Sequence, residues 1–413
     1  MKVLHTADWH IGQLFHAYDR TFEHQQFLQW LVGIIVGESV DVLLIAGDIF
    51  DLSNPSAASV RLFYTFLNQA TKANPDLQII VTAGNHDSPS RLEAPKPLLE
   101  SSKIHIVGLV ERDTNGGLDY DKLVVPLKNK KDEVEAWCLA VPFLRTGEYP
   151  ALADCSDPYA EGVAAMYDAV YAAALTHKQD GQAIIAMGHL TAAGSERTSA
   201  DEDERPIMGG VECIAADAFP AGLSYVALGH IHKAQKVGGK DHIRYCGSPI
   251  PMSFTEANYK HQVLSFELNK GNLTDLKAIE IPVAVALKRI PDMHQPLLNV
   301  LAELIALPDE EPAGPVPYLE VRVLLDAPEP GLRHKIETAL QGKPYRLAKI
   351  DARHPEQTED AAAELISGRK LTDINAEEIF QSMYQAKYNA PPPEILVSLF
   401  NQVSTEISQR EAV

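Results

Sequence analysis

The chain has 413 residues, of which 46% are hydrophobic and 22% charged, and a formal net charge of -20. That length and composition predict a large core plus a smaller domain, and the negative charge argues against a protein that coats nucleic acid over its whole surface. Cys138, Cys155, Cys213 and Cys246 form no CxxC pair and no apolar run reaches membrane-span length. Reduced, mostly buried thiols, no membrane segment and a cytoplasmic location are therefore expected. A cleaved signal peptide is not expected, because it would take Asp8 and His10 with it.

In chain order, Met1 to Thr6 reads as a strand that runs into Asp8-Trp9-His10, with the two polar side chains on one face if the backbone stays extended. Phe27, Trp30, Leu31, Ile34 and Ile35 have helical spacing over Glu23 to Val36. Val40 to Ala46 is a continuous apolar strand that ends in Gly47-Asp48-Ile49-Phe50-Asp51. A helix opened by Pro55 and Ser56 leads to the strand Gln78 to Ala83 and its terminus Gly84-Asn85-His86-Asp87. Pro89 to Ser102 reads as partly helical, Ile104 to Leu109 as a strand, Lys128 to Lys131 as a basic loop, and Trp137 to Val141 as a strand. The Ala-rich helix Glu161 to His177 precedes a strand, Ala183 to Met187, that ends in Gly188-His189. Thr198 to Gly210 reads as a polar surface loop. Tyr225 to Leu228 ends in Gly229-His230-Ile231-His232, and Ile243 to Cys246 in Gly247-Ser248-Pro249.

This alternation predicts an α/β sandwich whose functional groups gather at one edge, closing near Ile281. A second region has strands at Tyr318 to Leu325 and Tyr345 to Ile350 with a helix between them, Leu332 to Leu340. Two helices follow from Ala376, separated by Pro391-Pro392-Pro393. The second carries Leu396, Leu399, Phe400, Val403 and Ile407 on one stripe.

The strand ends together supply Asp8, His10, Asp48, Asn85, His86, His189, His230 and His232. One such motif is an ordinary turn or a surface histidine. Five in order, each closing an apolar strand, are not explained by packing. Mixed Asp, His and Asn donors suit manganese, iron or zinc better than magnesium. Two carboxylates against two divalent ions leave a net positive centre, suited to a phosphodiester and to clamping the transferring oxygens.

The order DxH, GDxxD, GNHD, GH, GHxH resembles the calcineurin-like metallophosphoesterase superfamily. His5 to His10, Ala227 to His232 and Tyr245 to Pro249 resemble, more narrowly, its SbcD family of nuclease subunits. The resemblance implies a four-layer α/β/β/α sandwich at 1–280, a smaller α+β capping domain that positions DNA at 281–355, and C-terminal partner-binding helices at 376–413. It implies one metal held by Asp8, His10, Asp48 and His232, and another by Asp48, Asn85, His189 and His230, most readily two Mn2+ ions. His86 would then be the catalytic histidine that protonates the leaving oxygen. Asp51 and Asp87 would stand behind the ligands. Asp87 either orients His86 or caps the helix at Pro89. Some relatives carry a second histidine where this chain has Asp51, so that histidine's task has no counterpart here.

The family further implies exonuclease action on duplex ends, endonuclease action on single strands and hairpins, and roles in DNA repair, recombination and replication. Its partner is an SbcC-type ATPase with a coiled coil, in a heterotetramer built on a homodimer. No Walker A sequence occurs in the chain, so any ATP dependence must come from the partner. The alternative is a metallophosphatase or another phosphodiesterase on the same scaffold. Such phosphatases carry Arg-Gly after GDxxD, whereas Asp51 is followed by Leu52-Ser53-Asn54. A non-catalytic scaffold is disfavoured by the intact ligand set. Arg61, Arg91, Lys96, Lys128, Lys130 and Lys131 are candidate DNA contacts. The C-terminal stripe either docks at home or grips the partner's coiled coil, and the family precedent favours the grip.

Overall fold

Every residue of Val42–Ala46 is buried, yet alternate side chains enter two different cores. In the computed structural model, which describes residues 1–153, 155–196, 213–310, 314–354, 376–388 and 390–411, this strand sits inside a six-stranded sheet. The order is Asn272–Glu280, Gln262–Asn269, Lys2–Thr6, Val42–Ala46, Gln78–Thr82, Ile104–Val107. The last four run parallel, and Gln262–Asn269 pairs antiparallel with Lys2–Thr6. A second six-stranded sheet runs Gln235–Val237, Lys240–Tyr245, Tyr225–Gly229, Ala183–His189, Val134–Ala140, Val124–Lys128, with parallel pairing through its centre.

Val3, Val42, Leu44, Ala46 and Ile80 face Ile185, Met187 and Ala227 between the sheets. Leu4, Leu43, Ile45, Ile79 and Val81 face the other way, against Phe27 and Leu31 of Thr21–Gly37 and Phe63 and Leu67 of Ala57–Ala73. Val163, Met166 and Val170 of Pro158–His177 cover the outer side of the second sheet. The layers are α/β/β/α. Each buried aliphatic side chain contributes roughly 1.5–3 kcal/mol, so the strands serve as rigid rods from which the site loops hang. The helices start where their caps dictate. The Ser56 side chain accepts from Ser59 N–H, and the Asp157 side chain accepts from Ala160 N–H just ahead of Pro158.

The hairpin Gln262–Asn269 and Asn272–Glu280 has no counterpart in the sequence pattern. Its second strand is a half-exposed sheet edge whose polar residues break any apolar run. The expected basic loop is the turn joining Val124–Lys128 to Val134–Ala140. The expected loop Thr198 to Gly210 lies outside the described residues. Among the described residues Cys138 and Cys246 are buried, and Cys155 and Cys213 are partly exposed. No helix among the described residues is long and apolar enough to cross a membrane.

The chain divides into Met1–Ala284 and Val285–Val413. The second unit has a parallel sheet, Leu287–Pro296, Tyr318–Leu324 and Arg346–Arg353. Leu319, Val321 and Val323 are packed against Val300 and Leu304 of Leu297–Ile305 and Ile336 of Leu332–Ala339. The strand Leu287–Pro296 is hidden in the sequence because charged residues and two prolines mask its pattern. Helices Ala376–Tyr388 and Glu394–Glu411 follow. The C-terminal stripe divides: Phe400 stacks on Phe380 with ring centroids 4.5 Å apart, while Leu399 and Val403 stay exposed. The Ile407 side chain lies outside the described residues.

Candidate metal centre

The parallel strands deliver their C-terminal ends to one edge, where the chain leaves ordinary β geometry. Asp8, His10, Asp48 and His230 all have positive φ, at 54, 45, 47 and 97°. Such conformations cost a non-glycine residue on the order of 1–2 kcal/mol each and persist only where the surroundings enforce them. Here the loops enforce one another. Asp8 N–H donates to Gly47 O at 3.1 Å, His10 N–H to Asp48 O at 3.0 Å and Ile11 N–H to Ile49 O at 2.9 Å. The expectation that Asp8 and His10 share a face through extended backbone is therefore corrected, because both turn left-handed. Gly84 packs against the same loops. Its φ is ordinary, and the missing side chain matters because a Cβ there would lie 2.1 Å from Asp48 Oδ1.

Each central carboxylate spends one oxygen on a neighbouring loop and presents the other. Asp8 Oδ1 accepts from His230 N–H at 2.8 Å, leaving buried Oδ2 with no hydrogen-bond partner among the described residues. Asp48 Oδ1 accepts from His86 N–H at 2.9 Å, and its Oδ2 lies 3.1 Å from His189 Nε2 and 3.7 Å from His10 Nε2. His10 Nε2 and His232 Nε2 are 3.3 Å apart. On the other flank Asn85 Oδ1 is 2.9 Å from His189 Nε2 and 3.1 Å from His230 Nδ1. Potential ligand atoms of Asp8, His10 and His232 thus converge in one group and those of Asp48, His189 and His230 in another, while His86 joins His10 and Asp48 in a third.

Acceptors crowded this closely call for a cation. Burial opposes a charge on His189, but the Asp48 and Asp8 carboxylates beside it push its pKa up to about 10. Burial likewise opposes ionisation of Asp48, yet the surrounding His189, His10 and His86 hold it well below the usual carboxylate range. Burial raises Asp8 despite the nearby His189 and His232. The orphaned Asp8 Oδ2 and the mixed oxygen and imidazole donors fit a borderline divalent metal.

All eight strand-end residues are brought together, and Asp51 and Asp87 lie beside them. Asp51 works twice: its carbonyl accepts from His86 Nδ1–H at 2.8 Å, and its carboxylate lies 3.4 Å from His10 Nδ1. Asp87 neither orients His86 nor caps the helix Pro89–Glu93, whose cap position is Ser88. Its buried carboxylate accepts from Gly84, Ile49 and Phe50 N–H at 2.9, 3.1 and 3.0 Å, which pins two site loops together. Burial, reinforced by the Asp48 charge, pushes its pKa up to about 6. The Lys128 loop is corrected too. Lys128 N–H donates to Gln78 Oε1, at the start of the strand whose far end bears Asn85, so it sits at the opposite sheet edge. One buried residue at the site has no signal in the sequence: Glu256, whose Oε1 is 4.0 Å from His232 Nδ1. No strand end marks it, since it sits on a short turn, Phe254–Glu256.

A family model described as calcineurin-like phosphoesterase matches residues 1–234. A second, described as a Type 5 capsule protein repressor C-terminal domain and labelled SbcD_C, matches residues 283–388. The chain is similar to the D subunit of nuclease SbcCD from Rhodobacter capsulatus, at 38% identity over 93% of this chain and 94% of that relative. Proteins of the same name from Escherichia coli and Bacillus subtilis are each 29% identical, covering 92% and 100% of both partners respectively.

Proposed function

This chain belongs to the SbcD family of calcineurin-like phosphoesterases, and on that premise we propose that it is the two-metal subunit of a DNA nuclease working with an SbcC-type ATPase. The position of Asp48 Oδ2, 3.1 Å from His189 Nε2 of one group and 3.7 Å from His10 Nε2 of the other, carries this reading. One ion falls to Asp8, His10, Asp48 and His232, the other to Asp48, Asn85, His189 and His230, with manganese the metal best matched to that donor set. When bound, the pair supplies positive charge for a phosphodiester and an activated water for in-line attack.

The residues do the rest. Asp51 O fixes the Nδ1–H of His86, so the opposite nitrogen, which has no hydrogen-bond partner among the described residues, faces the reaction. Once protonated, Nε2–H is the donor for the leaving oxygen. Asp87 and Gly84 keep the His86 loop tight against Asp48. No arginine follows Asp51 to hold a phosphate dianion, which favours a diester over a monoester. The exposed Leu399 and Val403 suit docking of the partner's coiled coil.

The test is one assay of the purified chain with manganese on end-labelled duplex, single-stranded DNA and a phosphomonoester. DNA cleavage with little monoester turnover is expected, and the reverse pattern overturns the nuclease reading. His86→Ala should bind both ions and cleave roughly a hundredfold more slowly or worse. Loss of an ion in that variant would instead make His86 a ligand.

A further inference from the structure

The segment from Gly247 to His261 supplies no ligand, yet it wraps one. We infer that Glu256 is a positioning residue for His232: its carboxylate lies beside Nδ1 of that ring, favours the proton there and so aims Nε2 into the metal centre. The inference rests on the reading of His232 as a ligand.

The pattern comes from the other rings. His189 Nδ1–H donates to Ala46 O at 2.9 Å, His86 Nδ1–H donates to Asp51 O at 2.8 Å, and His10 Nδ1 faces the Asp51 carboxylate at 3.4 Å. At His189 and His86 a carbonyl acceptor fixes which nitrogen carries the proton, leaving the other for the centre, and at His10 a carboxylate stands on the same side of the ring. His232 presents Nε2 to His10 Nε2 at 3.3 Å, and its Nδ1 faces Glu256 Oε1 at 4.0 Å. Glu256 is fully buried, a position in which a carboxylate needs donors. Its Oε2 accepts from Met252 N–H at 2.9 Å, which turns Oε1 toward the imidazole. A bound cation makes the Nδ1–H more acidic and strengthens its bond to a carboxylate.

The surrounding segment is built to hold this pair in register. Ser248 N–H donates to His232 O at 3.1 Å, and Gly247, at φ 81°, passes so close that a Cβ would lie 2.6 Å from that same carbonyl. His261 Nδ1–H donates to Ser248 O at 2.8 Å, and Arg20 Nη1–H donates to Pro251 O at 2.6 Å. The glycine of the Gly247-Ser248-Pro249 motif thereby acquires a physical purpose: it lets the Glu256 segment close against the backbone of a ligand.

Manganese titration by calorimetry on the full chain tests this, using wild type, Glu256→Gln, His232→Ala and the double variant. Glutamine has the same size but only one oxygen, so Met252 N–H and His232 Nδ1–H cannot both be satisfied. We expect Glu256→Gln to keep one site at wild-type affinity and weaken the other roughly 10- to 100-fold. The double variant should be no worse than His232→Ala at that site, a non-additivity that general loosening would not produce. Nitrogen-15 NMR of wild type should find the His232 proton on Nδ1, a readout that needs no variant to fold. Wild-type affinity at both sites in Glu256→Gln, equal weakening of both with a fall in Tm, or a proton on Nε2 would each overturn the assignment. If wild type bound no pair of ions, or His232→Ala kept both at full affinity, the ligand reading itself would fail.

Discussion

Two clusters of buried polar groups lie in the first unit, and they are built on opposite rules. Around Arg20 each guanidinium nitrogen has an acceptor. Its Nε–H donates to Glu23 Oε2 at 3.1 Å, Nη2–H pairs with Glu23 Oε1, and Nη1–H donates to Gln13 Oε1 at 2.8 Å and to Pro251 O. His24 places its ring nitrogens 2.9 Å from Trp9 O and 3.1 Å from Arg20 O, and the neutral ring donates to one of them. At the strand ends, by contrast, Asp8 Oδ2 and His86 Nε2 are buried without hydrogen-bond partners among the described residues, and the backbone is left-handed at four of the site residues. Asp8, His10 and Asp48 are as buried as Arg20, Glu23 and His24. Satisfaction is what separates a cluster that stabilises the fold from one that stores free energy for binding a cation.

The sharpest way to break that contrast is to neutralise one member of each cluster. Asp48→Asn should lower DNA cleavage by roughly a thousandfold or more, because the shared ligand is lost. Its Tm in the presence of a chelator should fall far less than that of Glu23→Ala, because Asn keeps the oxygen that accepts from His86 N–H. A large fall in Tm would make Asp48 a structural residue as well. Glu23→Ala should do the reverse, destabilising the chain by roughly 3–5 kcal/mol by stranding the buried Arg20 guanidinium. Cleavage per folded molecule should persist, and denaturant titration beside an activity assay separates the two effects.

A third prediction concerns pH. Burial, and after it the Arg20 charge, lowers the pKa of His24 to about 4 from its ordinary value of 6.5. Below about 6.5 the unfolded chain takes up a proton that the folded chain refuses, so stability falls as pH drops toward 4 and is fully present above 6.5. The full window is worth about 3 kcal/mol. His24→Asn should show a shallower loss of stability between pH 7 and pH 4.5, while buried His5, lowered to about 3 by desolvation, keeps its own slope in both proteins. An unchanged slope would remove His24 from the account. The smallest effect expected is from metal itself. Manganese at about 100 times its Kd should raise wild-type stability by about 2.7 kcal/mol and leave Asp48→Asn nearly unmoved.

Much of this molecule is legible as sequence because strand interiors and strand ends obey different local chemistry. Continuous apolar runs such as Val42–Ala46 can only be buried strands, and polar tetrads that close several of them in turn can only be a site. Fold class, the donor set and its sharing of one edge follow from that. Edges of sheets are not legible, because Asn272–Glu280 and Leu287–Pro296 bury only part of their surface and so carry no strong pattern. Nor are the roles of Asp51, Asp87, Gly84 and Glu256. Each depends on what arrives from a distant segment: Asp87 on the amides of Ile49 and Phe50, Gly84 on the close approach of Asp48, Glu256 on the ring of His232. Hydrogen bonding and steric fit act over a few ångströms in space. Residue type by itself determines what a side chain offers, and only the packed structure decides which partner receives it.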